Sequence, residues 1–385
     1  MTRLFVPREI RSGERRVAAS PESVKKMVQA GLEVAVESGA GREAGFADDA
    51  YRSAGAVLVT AAAGASGPDG YAAADIIFKV APPEESEAAA MRAGAYLFCL
   101  LDPYRNGKLV QQLVERKVTS FAMELVPRTT RGQAIDVLSS QASIAGYKAV
   151  LVGAERLGKI FPLLMTAAGT IQPARVVVLG AGVAGLMALA TAKRLGATVE
   201  VSDVRPAVKE QVESLGGRFI DLPQMPAAEG GGGYAREVSK EFLEQQRAIL
   251  KARLAIADVV ITTAQVPGKK APILLTADMV EAMKPGAVVV DIAAAQGGNC
   301  ELTRVDEEIE HHGVLVLGPS NLPATVPADA SLVYSRNLLT LLMLVFKERR
   351  LAIPEGDAEV LGTLLTRDGA LVHPAFAAAV NPVAG

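Results

Sequence analysis

The sequence predicts an α/β protein of two Rossmann-like domains, each a doubly wound parallel sheet, separated by a cleft. Short β-branched runs alternate with longer amphipathic runs along the chain, and such alternation is typical of parallel sheets with helices on both faces. The chain has 385 residues, enough for two ordinary domains with separate cores. One β-branched run, within 175–192, leads directly into a glycine-rich turn that opens a helix.

The N-terminal part of the chain alternates predicted strands with predicted helices. A helix is expected at 20–31, because Ser20 is a good N-cap, Pro21 suits the first turn and Gly31 suits the end. A second helix is expected at 109–117. The predicted strands are RLFVPRE (3–9), LEVAVES (32–38), DIIFKVA (75–81), AYLFCLL (95–101) and VTSFAMELV (118–126).

A helix at about 135–157 is expected to be a hinge into a second unit. The tail at 364–376 is too apolar for a linker, so we expect it to pack back on the first domain and make that domain discontinuous. The predicted domains are 1–137 with 329–385, and 138–328. The elements predicted after the hinge are the strands 174–179, 198–204, 257–264, 287–293 and 314–318, and the helices 206–217, near 236–254 and 329–348.

Composition argues against several classes of partner. The net charge of −2 gives no reason to expect nucleic acid or an anionic membrane surface, and a chain without Trp is a poor base-stacking platform. Cys99 and Cys300 lack metal or redox spacing and are expected to be buried in a reducing compartment. Three histidines are few for a His-based zinc site, so no metal site is predicted.

No transmembrane segment is predicted. The N-terminus has no apolar signal core. The longest apolar run, 176–192, is short for a membrane span and is divided by three glycines into strand, turn and helix. The run at 337–346 has the length of a core helix.

The motif GAGVAG at 180–185 fits the G-x-G-x-x-G fingerprint of dinucleotide-binding domains. Gly180 allows the tight turn, Gly182 lets the backbone approach a pyrophosphate, and Gly185 permits close packing of helix on strand. Asp203 ends the next strand, where a carboxylate accepts hydrogen bonds from ribose hydroxyls and repels a 2′-phosphate. NAD(H) is therefore favoured over NADP(H), although Arg205 is of the type that accommodates that phosphate. The alternative is an ordinary glycine-rich turn.

Two other glycine-rich segments carry less information. GAGREAG at 39–45 also follows a strand, but its charges and the poor helix behind it indicate a connecting loop. The segment 222–237 contains four consecutive glycines. It is either a flexible surface loop or a mobile lid over a site.

The polar stretch RTTRGQAIDVLSSQ at 128–141 leads into the hinge helix, so we expect it to face the predicted cleft. Arg128 is suited to a phosphate or a carboxamide. Gln133, Asp136 and Ser139 follow one another at three-residue spacing and would share one face of a helix.

These motifs carry a family resemblance that covers nearly the whole chain. The chain resembles the NAD(H)-binding component of proton-translocating nicotinamide nucleotide transhydrogenase and, more distantly, alanine dehydrogenase. The residues that carry the resemblance are MELVPR (123–128), GQAIDVLSSQASIAGYKAV (132–150), MTAAGT (165–170), LGAGVAGLMALATAKRLGA (179–197), SDVRPAVKEQVESLGG (202–217), VPGKKAP (266–272), DIAAAQGGN (291–299) and TRDGALVHPA (366–375).

The resemblance assigns roles to particular residues. It implies that Arg128, Gln133 and Asp136 are catalytic and, with Ser139, contact the nicotinamide end, with Gln133 between the two nicotinamides. Val238 departs from the family, which tends to have Met there. The remaining nucleotide contacts that it implies are Gly180, Gly182, Val183 and Ala184 at the pyrophosphate; Asp203, Val204 and Arg205 at the ribose; Gly233 and Tyr234 in the mobile loop; and Ala264, Gln265 and Val266 beside the nucleotide.

The chemistry separates the two relatives. An amino-acid dehydrogenase moves a proton as well as a hydride and needs a positioned acid or base. The segments in which alanine dehydrogenases have a histidine and an aspartate read AYLFCLLDPY (95–104) and Ala293-Ala294-Ala295 here. Hydride transfer between two nicotinamides needs positioning and exclusion of water instead. Arg16 and Lys79 match carboxylate-binding positions of alanine dehydrogenase, and we interpret Arg16 as an ion-paired residue and Lys79 as a residue that lines the cleft.

The resemblance also implies the assembly. Because the chain has one credible fingerprint, NADP(H) must be bound by a partner subunit. Proton translocation must be carried out by membrane-embedded partner subunits. We therefore expect the NAD(H) subunit of a Re/Si-specific transhydrogenase, a homodimer attached peripherally to the cytoplasmic face of the membrane, without membrane insertion of its own. The alternatives are a self-sufficient NAD-dependent alanine or other amino-acid dehydrogenase and a non-catalytic NAD(H) sensor.

Overall fold

The computed structural model describes residues 1–60, 68–223, 240–266 and 268–376. The chain divides into two compact units, one made of residues 1–141 and 323–385 and the other of residues 142–322. The first unit is thus discontinuous in sequence, with divisions four and six residues from the expected positions at 137/138 and 328/329. Each unit contains its own sheet.

The first unit begins with six parallel strands in the order β3-β2-β1-β4-β5-β6. This 3-2-1-4-5-6 order is that of a doubly wound Rossmann sheet. Its elements in chain order are β1 Arg3–Val6, α1 Pro21–Gln29, β2 Glu33–Glu37, α2 Asp48–Ser53, β3 Val57–Val59, α3 Pro68–Ala73, β4 Ile76–Phe78, α4 Glu85–Ala90, β5 Tyr96–Cys99, α5 Gly107–Glu115 and β6 Thr119–Ala122.

The second unit repeats the same winding. Its strands lie in the order β11-β10-β9-β12-β13-β15-β14, and all pairs are parallel except β14 with β15. The elements that lead into it and form it are α6 Val137–Arg156, β7 Leu164–Thr166, β8 Gly169–Ile171, β9 Arg175–Leu179, α7 Val183–Arg194, β10 Thr198–Ser202, α8 Lys209–Ser214, β11 Arg218–Phe219, α9 Lys240–Leu254, β12 Val259–Thr262, α10 Ala277–Glu281, β13 Val288–Asp291, β14 Glu308–His311 and β15 Val314–Leu317.

The returning chain adds two strands to the sheet of the first unit. Strand β18 pairs antiparallel with β6, and a hydroxyl–hydroxyl hydrogen bond of 2.7 Å joins Ser120 to Thr366 across the pair. The elements of this segment are α11 Pro327–Val345, β16 Phe346–Lys347, β17 Arg350–Leu351, α12 Ala358–Thr363, β18 Leu364–Arg367 and β19 Ala370–Leu371.

Each sheet is buried on both faces. Leu4 and Val6 of β1 pack in one hydrophobic cluster and Phe5 in another, because successive side chains of a strand point to opposite faces. Val176 and Val177 of β9 are divided in the same way. Strands buried on both faces are continuously apolar, and this is why the sequence identifies them.

Local signals confirm several predicted boundaries. The Ser20 hydroxyl accepts from the Ser23 N–H at 3.3 Å, Pro21 begins α1, and Gly31 has a left-handed φ of 95°.

Cys99 and Cys300 are buried free thiols. In the described part of the chain, one helix, α11, is apolar and long enough to cross a membrane, and half of that window is buried inside the protein, as in a core helix.

The edge strands differ from the sequence-based expectation, which did not include them. Strand β3 and the antiparallel β14 expose part of their residues, and the β7–β8 hairpin is exposed throughout. Strands β7, β8 and β14 lack the continuous apolar run that marks a central strand, whereas β3 is apolar but has only three residues. The expected strand 118–126 is shorter, because a 3-10 turn at Met123–Leu125 ends it.

Candidate functional site

The glycine-rich turn lies at the carboxyl end of β9, between β9 and β12, where the strand order of the second sheet reverses. Doubly wound sheets bind ligands at this switch point. Gly180 has a φ of 108°, which glycine adopts without strain. Its N–H donates to the Ser202 carbonyl of the adjacent β10 at 2.8 Å. The turn is therefore hydrogen-bonded to the strand that precedes Asp203.

The next two glycines have different surroundings. A Cβ atom on Gly182 would meet nothing within 4 Å, whereas a Cβ atom on Gly185 would lie 1.8 Å from the Gly180 carbonyl oxygen. Gly185 is thus required for packing of α7 against the turn. Gly182 is the N-cap of α7 and provides no side-chain cap, so the first-turn N–H groups at Val183 and Ala184 remain available to an anion. The open space and the free donors fit a pyrophosphate.

Asp203 follows β10, and its carboxylate is organised by its neighbours. It accepts from the Ala181 N–H at 2.7 Å and from the Arg205 N–H and guanidinium at 2.8 to 3.0 Å. Burial works against ionisation, but the hydrogen bonds from Arg205 and Ala181 outweigh it, so the pKa of Asp203 lies below its usual value. The group is an anion that fits ribose hydroxyls, and Arg205 is engaged with it. Val204 is 74% exposed.

The segment after β12 has its backbone fixed by a single buried amide. The side chain of Asn299 accepts from the Ala264 N–H at 2.9 Å and donates to the Ala264 carbonyl at 2.8 Å. Gln265 donates to the Ile292 carbonyl at 3.1 Å, and Val266 is 41% exposed. The segment therefore presents a rigid backbone with exposed side chains at the same edge of the sheet as the turn.

Asp291 stabilises this segment through buried hydrogen bonds. It is fully buried at the end of β13 and accepts five hydrogen bonds. The donors are the hydroxyls of Thr262 and Thr303 and the N–H groups of Ala293, Asn299 and Cys300, at 2.7 to 3.0 Å. The pairing of Asp291 with Asn299 was not predicted, although both lie in the segment DIAAAQGGN.

The polar stretch 128–141 lies in the first unit. Its helix begins after Asp136, which caps α6: one carboxylate oxygen accepts from the Ser139 N–H at 2.9 Å and the other from the Ser139 hydroxyl at 2.6 Å. A separate 3-10 turn at Gly132–Ile135 contains Gln133. The expectation that Gln133, Asp136 and Ser139 share one face of a continuous helix is therefore wrong, because a capping carboxylate interrupts it.

Within this stretch some side chains are structural and others are free. Arg131 donates to Asp357 at 2.8 Å and Thr129 to Glu359 at 2.9 Å, which ties the stretch to the returning segment. Arg128 and Gln133 are exposed, and neither side chain has a hydrogen-bond or ion-pair partner among the described residues. These two are available to a ligand. Gly233, Tyr234 and Val238 lie outside the described residues.

Arg16 and Lys79 are buried in the first unit and are neutralised internally. Arg16 forms a two-point ion pair with Glu14, at 2.6 and 2.7 Å, and a third hydrogen bond to Gln141 at 2.8 Å. Lys79 pairs with Glu87 at 2.8 Å and with Glu9 at 3.1 Å. These partners account for both charges. The ion pair of Arg16 was expected, whereas the burial and pairing of Lys79 were not.

The switch point of the first sheet, between β1 and β4, is closed by the same cluster. The Glu9 carboxylate, three residues after β1, accepts from the Val80 N–H at 2.6 Å as well as from Lys79, just after β4. The Glu9 carboxyl group therefore occupies the donors that would face a nucleotide phosphate. In contrast to β9, no glycine turn leads from β1 directly into a helix, because α1 begins only at Pro21.

The segments 95–104 and 293–295 contain no histidine, and the second has no titratable side chain. Ala293 and Ala294 are fully buried in the turn after β13. The Nε2 of His373 lies 3.1 Å from the Gly362 carbonyl oxygen, and burial lowers the pKa of this imidazole. His373 is a structural residue of the returning segment.

An uncapped helix N-terminus, an open glycine turn and an ionised carboxylate at one switch point define a dinucleotide-binding domain. The first unit of the same chain contains a second doubly wound sheet. The chain is an NAD-binding oxidoreductase of Rossmann-like fold.

Comparison with known proteins gives the family. The chain belongs to the alanine dehydrogenase/PNT family, whose N-terminal domain matches residues 5–145 and whose C-terminal domain matches residues 149–374.

Three relatives show where the chain lies within that family. It is 49% identical over 383 residues to the first part of the NAD(P) transhydrogenase alpha subunit of Rhodospirillum rubrum, covering 97% of this chain and 98% of that one. The crystal structure of transhydrogenase from Sinorhizobium meliloti is 43% identical, with a TM-score of 0.86 over 96% of this chain and 100% of that one. Alanine dehydrogenase 2 of Staphylococcus aureus is more distant, at 33% identity over 370 residues, 94% of this chain and 92% of that one.

Proposed function

We propose that this chain is the soluble NAD(H)-binding subunit of a proton-translocating, Re/Si-specific transhydrogenase. It holds NADH while hydride passes directly to NADP⁺ on a partner subunit, and membrane-embedded subunits couple that transfer to proton movement. Similarity over nearly the full length to the first part of a transhydrogenase alpha subunit supports the assignment. A relative whose name denotes only one portion of a subunit also supports the existence of partner chains.

The observation that carries the proposal is the difference between the two switch points. In the second unit the turn is open at Gly182 and flanked by the Asp203 carboxylate. In the first unit the equivalent position is filled by Glu9, held by Val80 and Lys79. One chain therefore offers one dinucleotide site among its described residues, so a reaction between two nicotinamide nucleotides needs a second polypeptide.

The proposed mechanism depends on positioning. NADH, when bound, supplies the hydride from its dihydronicotinamide ring. Gly182 and the α7 N-terminus bind the pyrophosphate, and Asp203 binds the ribose. We assign Arg128 and Gln133 to the nicotinamide end, where unpartnered polar side chains orient the carboxamide without moving a proton. Asp136 and Ser139 hold the backbone that presents Gln133.

Gly233 and Tyr234, which lie outside the described residues, and the backbone of 264–266 complete the proposed nucleotide site. We further propose a homodimer, located at the cytoplasmic face of the membrane through its partner subunits. The helix α11 is assigned to the core of the first unit, because its buried face includes Tyr334, Leu338 and Leu342.

The test is hydride exchange with the NADP(H)-binding component present. We expect NADH to reduce an NADP⁺ analogue only when both components are mixed, and the isolated chain to bind NADH without turnover. Tight NADH binding with no exchange in the mixture would favour the NADH sensor instead.

The amino-acid dehydrogenase alternative has its own test. The isolated chain is incubated with L-alanine and NAD⁺, and NADH formation is followed by absorbance. We expect no turnover, since Arg16 and Lys79 are paired internally and the 293–295 segment offers no titratable group. Clear NADH formation by this chain alone would overturn the transhydrogenase proposal.

A further inference from the structure

Two of the three histidines of the chain lie together with a carboxylate on the surface of the second unit. His311 Nε2 is 3.1 Å from Glu281 Oε1, and His312 Nε2 is 3.9 Å from the same oxygen. One ligand atom from each of the three residues lies within 4.8 Å of the other two. No metal site was expected from the sequence because histidines are few, and that expectation took no account of two adjacent histidines at a turn.

The backbone at His312 explains why adjacent residues point to the same side. Successive side chains of a strand point to opposite faces, but His311 is the last residue of β14 and pairs with Val314 of β15. The two residues between them, His312 and Gly313, have positive φ values of 51° and 75°, as in a type I′ hairpin turn. This turn rotates the His312 side chain, so the two imidazole centroids are 4.6 Å apart.

The segment that carries the carboxylate is fixed to the same hairpin. Glu281 is the last residue of α10, whose Met279 and Val280 are buried in the core. In the connection from α10 to β13, the Gly286 N–H donates a hydrogen bond of 2.7 Å to the Gly313 carbonyl. The three side chains therefore project from a backbone that is packed and hydrogen-bonded as one piece, so their proximity does not depend on a mobile loop.

We propose that Glu281, His311 and His312 form a binding site for a borderline divalent transition metal such as Zn²⁺. Imidazole nitrogen and carboxylate oxygen bind zinc at about 2.0–2.2 Å, which places the ligand atoms of a tetrahedral site roughly 3.3 Å apart. The observed 3.1 and 3.9 Å bracket that spacing. Rotation of the His312 side chain, 61% exposed, closes the remaining gap.

The chemistry of the donor set gives selectivity. Two imidazoles favour zinc, nickel and copper over magnesium and calcium, which prefer sites made entirely of oxygen ligands. Three protein ligands leave a fourth position to water, so the site is open and not a closed structural centre. A bound ion would clamp the connection after α10 to the β14–β15 hairpin at the edge of the sheet.

The test is calorimetric titration of the tag-free, chelator-treated full chain with ZnCl₂, with MgCl₂ in a parallel titration. We expect one Zn²⁺ per chain and no Mg²⁺ binding. His311→Ala, His312→Ala and Glu281→Gln should each weaken Zn²⁺ binding at least tenfold. Glu310→Gln, an exposed carboxylate on the same strand, is the matched control and should bind zinc as the wild type does.

A second measurement separates loss of the site from loss of folding. Zn²⁺ should raise the thermal midpoint of the wild type, because an ion that binds only the folded state stabilises it, and should raise that of the three variants less. NADH binding by the variants should equal that of the wild type, which shows that they are folded. Absence of Zn²⁺ binding by the wild type, or full binding by Glu281→Gln or by either histidine variant, would overturn the proposal.

Discussion

The Asp203 carboxylate accepts a hydrogen bond of 2.7 Å from the backbone N–H of Ala181, in the glycine turn that precedes α7. The residue proposed to bind the ribose thus also holds the turn proposed to bind the pyrophosphate. Arg205 donates to the same carboxylate from its backbone and its guanidinium. The side chain that raised the question of NADP(H) binding is therefore the partner of the residue that we expect to repel a 2′-phosphate.

Asp203→Asn should weaken NADH binding about ten- to a hundredfold, because hydrogen bonds to an ionised group contribute about 1.5–3 kcal/mol. It should also reduce the preference for NADH over NADPH, since the repelling charge is gone and Arg205 is released. Fluorescence titrations with both nucleotides measure the two effects. Asp221→Asn, an exposed carboxylate in the same unit paired with Lys209, serves as control. An unchanged NADH/NADPH ratio in Asp203→Asn would contradict the assigned role.

Two glycines of the fingerprint should fail in different ways. Gly182→Ala should fold with the wild-type thermal midpoint, because its Cβ meets nothing within 4 Å, yet should bind NADH at least tenfold more weakly because the methyl group takes the pyrophosphate space. Gly185→Ala should lose about 3 kcal/mol or more of unfolding free energy, since its Cβ would overlap the Gly180 carbonyl. Urea denaturation and NADH titration distinguish them. Normal NADH binding by Gly182→Ala would contradict the assignment of Gly182 to the pyrophosphate site.

Gln133→Asn should slow hydride transfer about tenfold or more while changing the NADH dissociation constant less than about twofold. The side chain is exposed and unpartnered among the described residues, so its shortening does not disturb the fold and affects only alignment of the reacting ring. Single-turnover exchange in the mixture of components, compared with NADH titration, separates rate from binding. Equal losses in both would show that Gln133 only binds.

Asp136 needs a different comparison, because it caps α6. Asp136→Asn keeps an N-cap and should therefore retain stability while it slows hydride transfer more than it weakens NADH binding. Asp136→Ala should in addition lose about 1 kcal/mol of unfolding free energy. If Asp136→Asn transfers hydride at the wild-type rate, the role of Asp136 is structural and only the cap matters.

How much of this structure can be predicted from the sequence depends on how far apart in the chain the contacting residues lie. The β9–α7 turn is encoded in the consecutive residues 175–185, and β-branched residues and glycines identify it. The Glu9–Val80 hydrogen bond joins residues 71 apart, and Asn299 holds Ala264 across 35 residues. No local pattern marks such contacts, because a buried carboxylate or amide is recognisable only once its donors are brought to it. Most of the edge strands were missed for a related reason, since the exposed β7, β8 and β14 carry no continuous apolar run.

Glu124, at the end of β6, gives the protein a predictable dependence on pH. Its carboxylate accepts from the N–H groups of Leu101 and Asp102, but burial raises the pKa of Glu124 from its ordinary 4.5 to about 7. A raised pKa in the folded state means that the stabilisation from the protonated group is complete below about pH 4.5 and is lost as the pH rises through 7. We expect a loss of about 3 kcal/mol between about pH 5 and 8.5.

Glu124→Gln should remove that loss, because the amide stays neutral and its oxygen still accepts from the backbone. Urea denaturation of both proteins at about pH 5, 7 and 8.5 gives the difference in unfolding free energy, in which the contributions of other titrating groups cancel. The wild type and the variant should have similar stabilities at the lowest pH, and the variant should be the more stable at the highest. Parallel pH profiles would show that Glu124 is ionised throughout this range, stabilised by its two backbone donors in spite of burial.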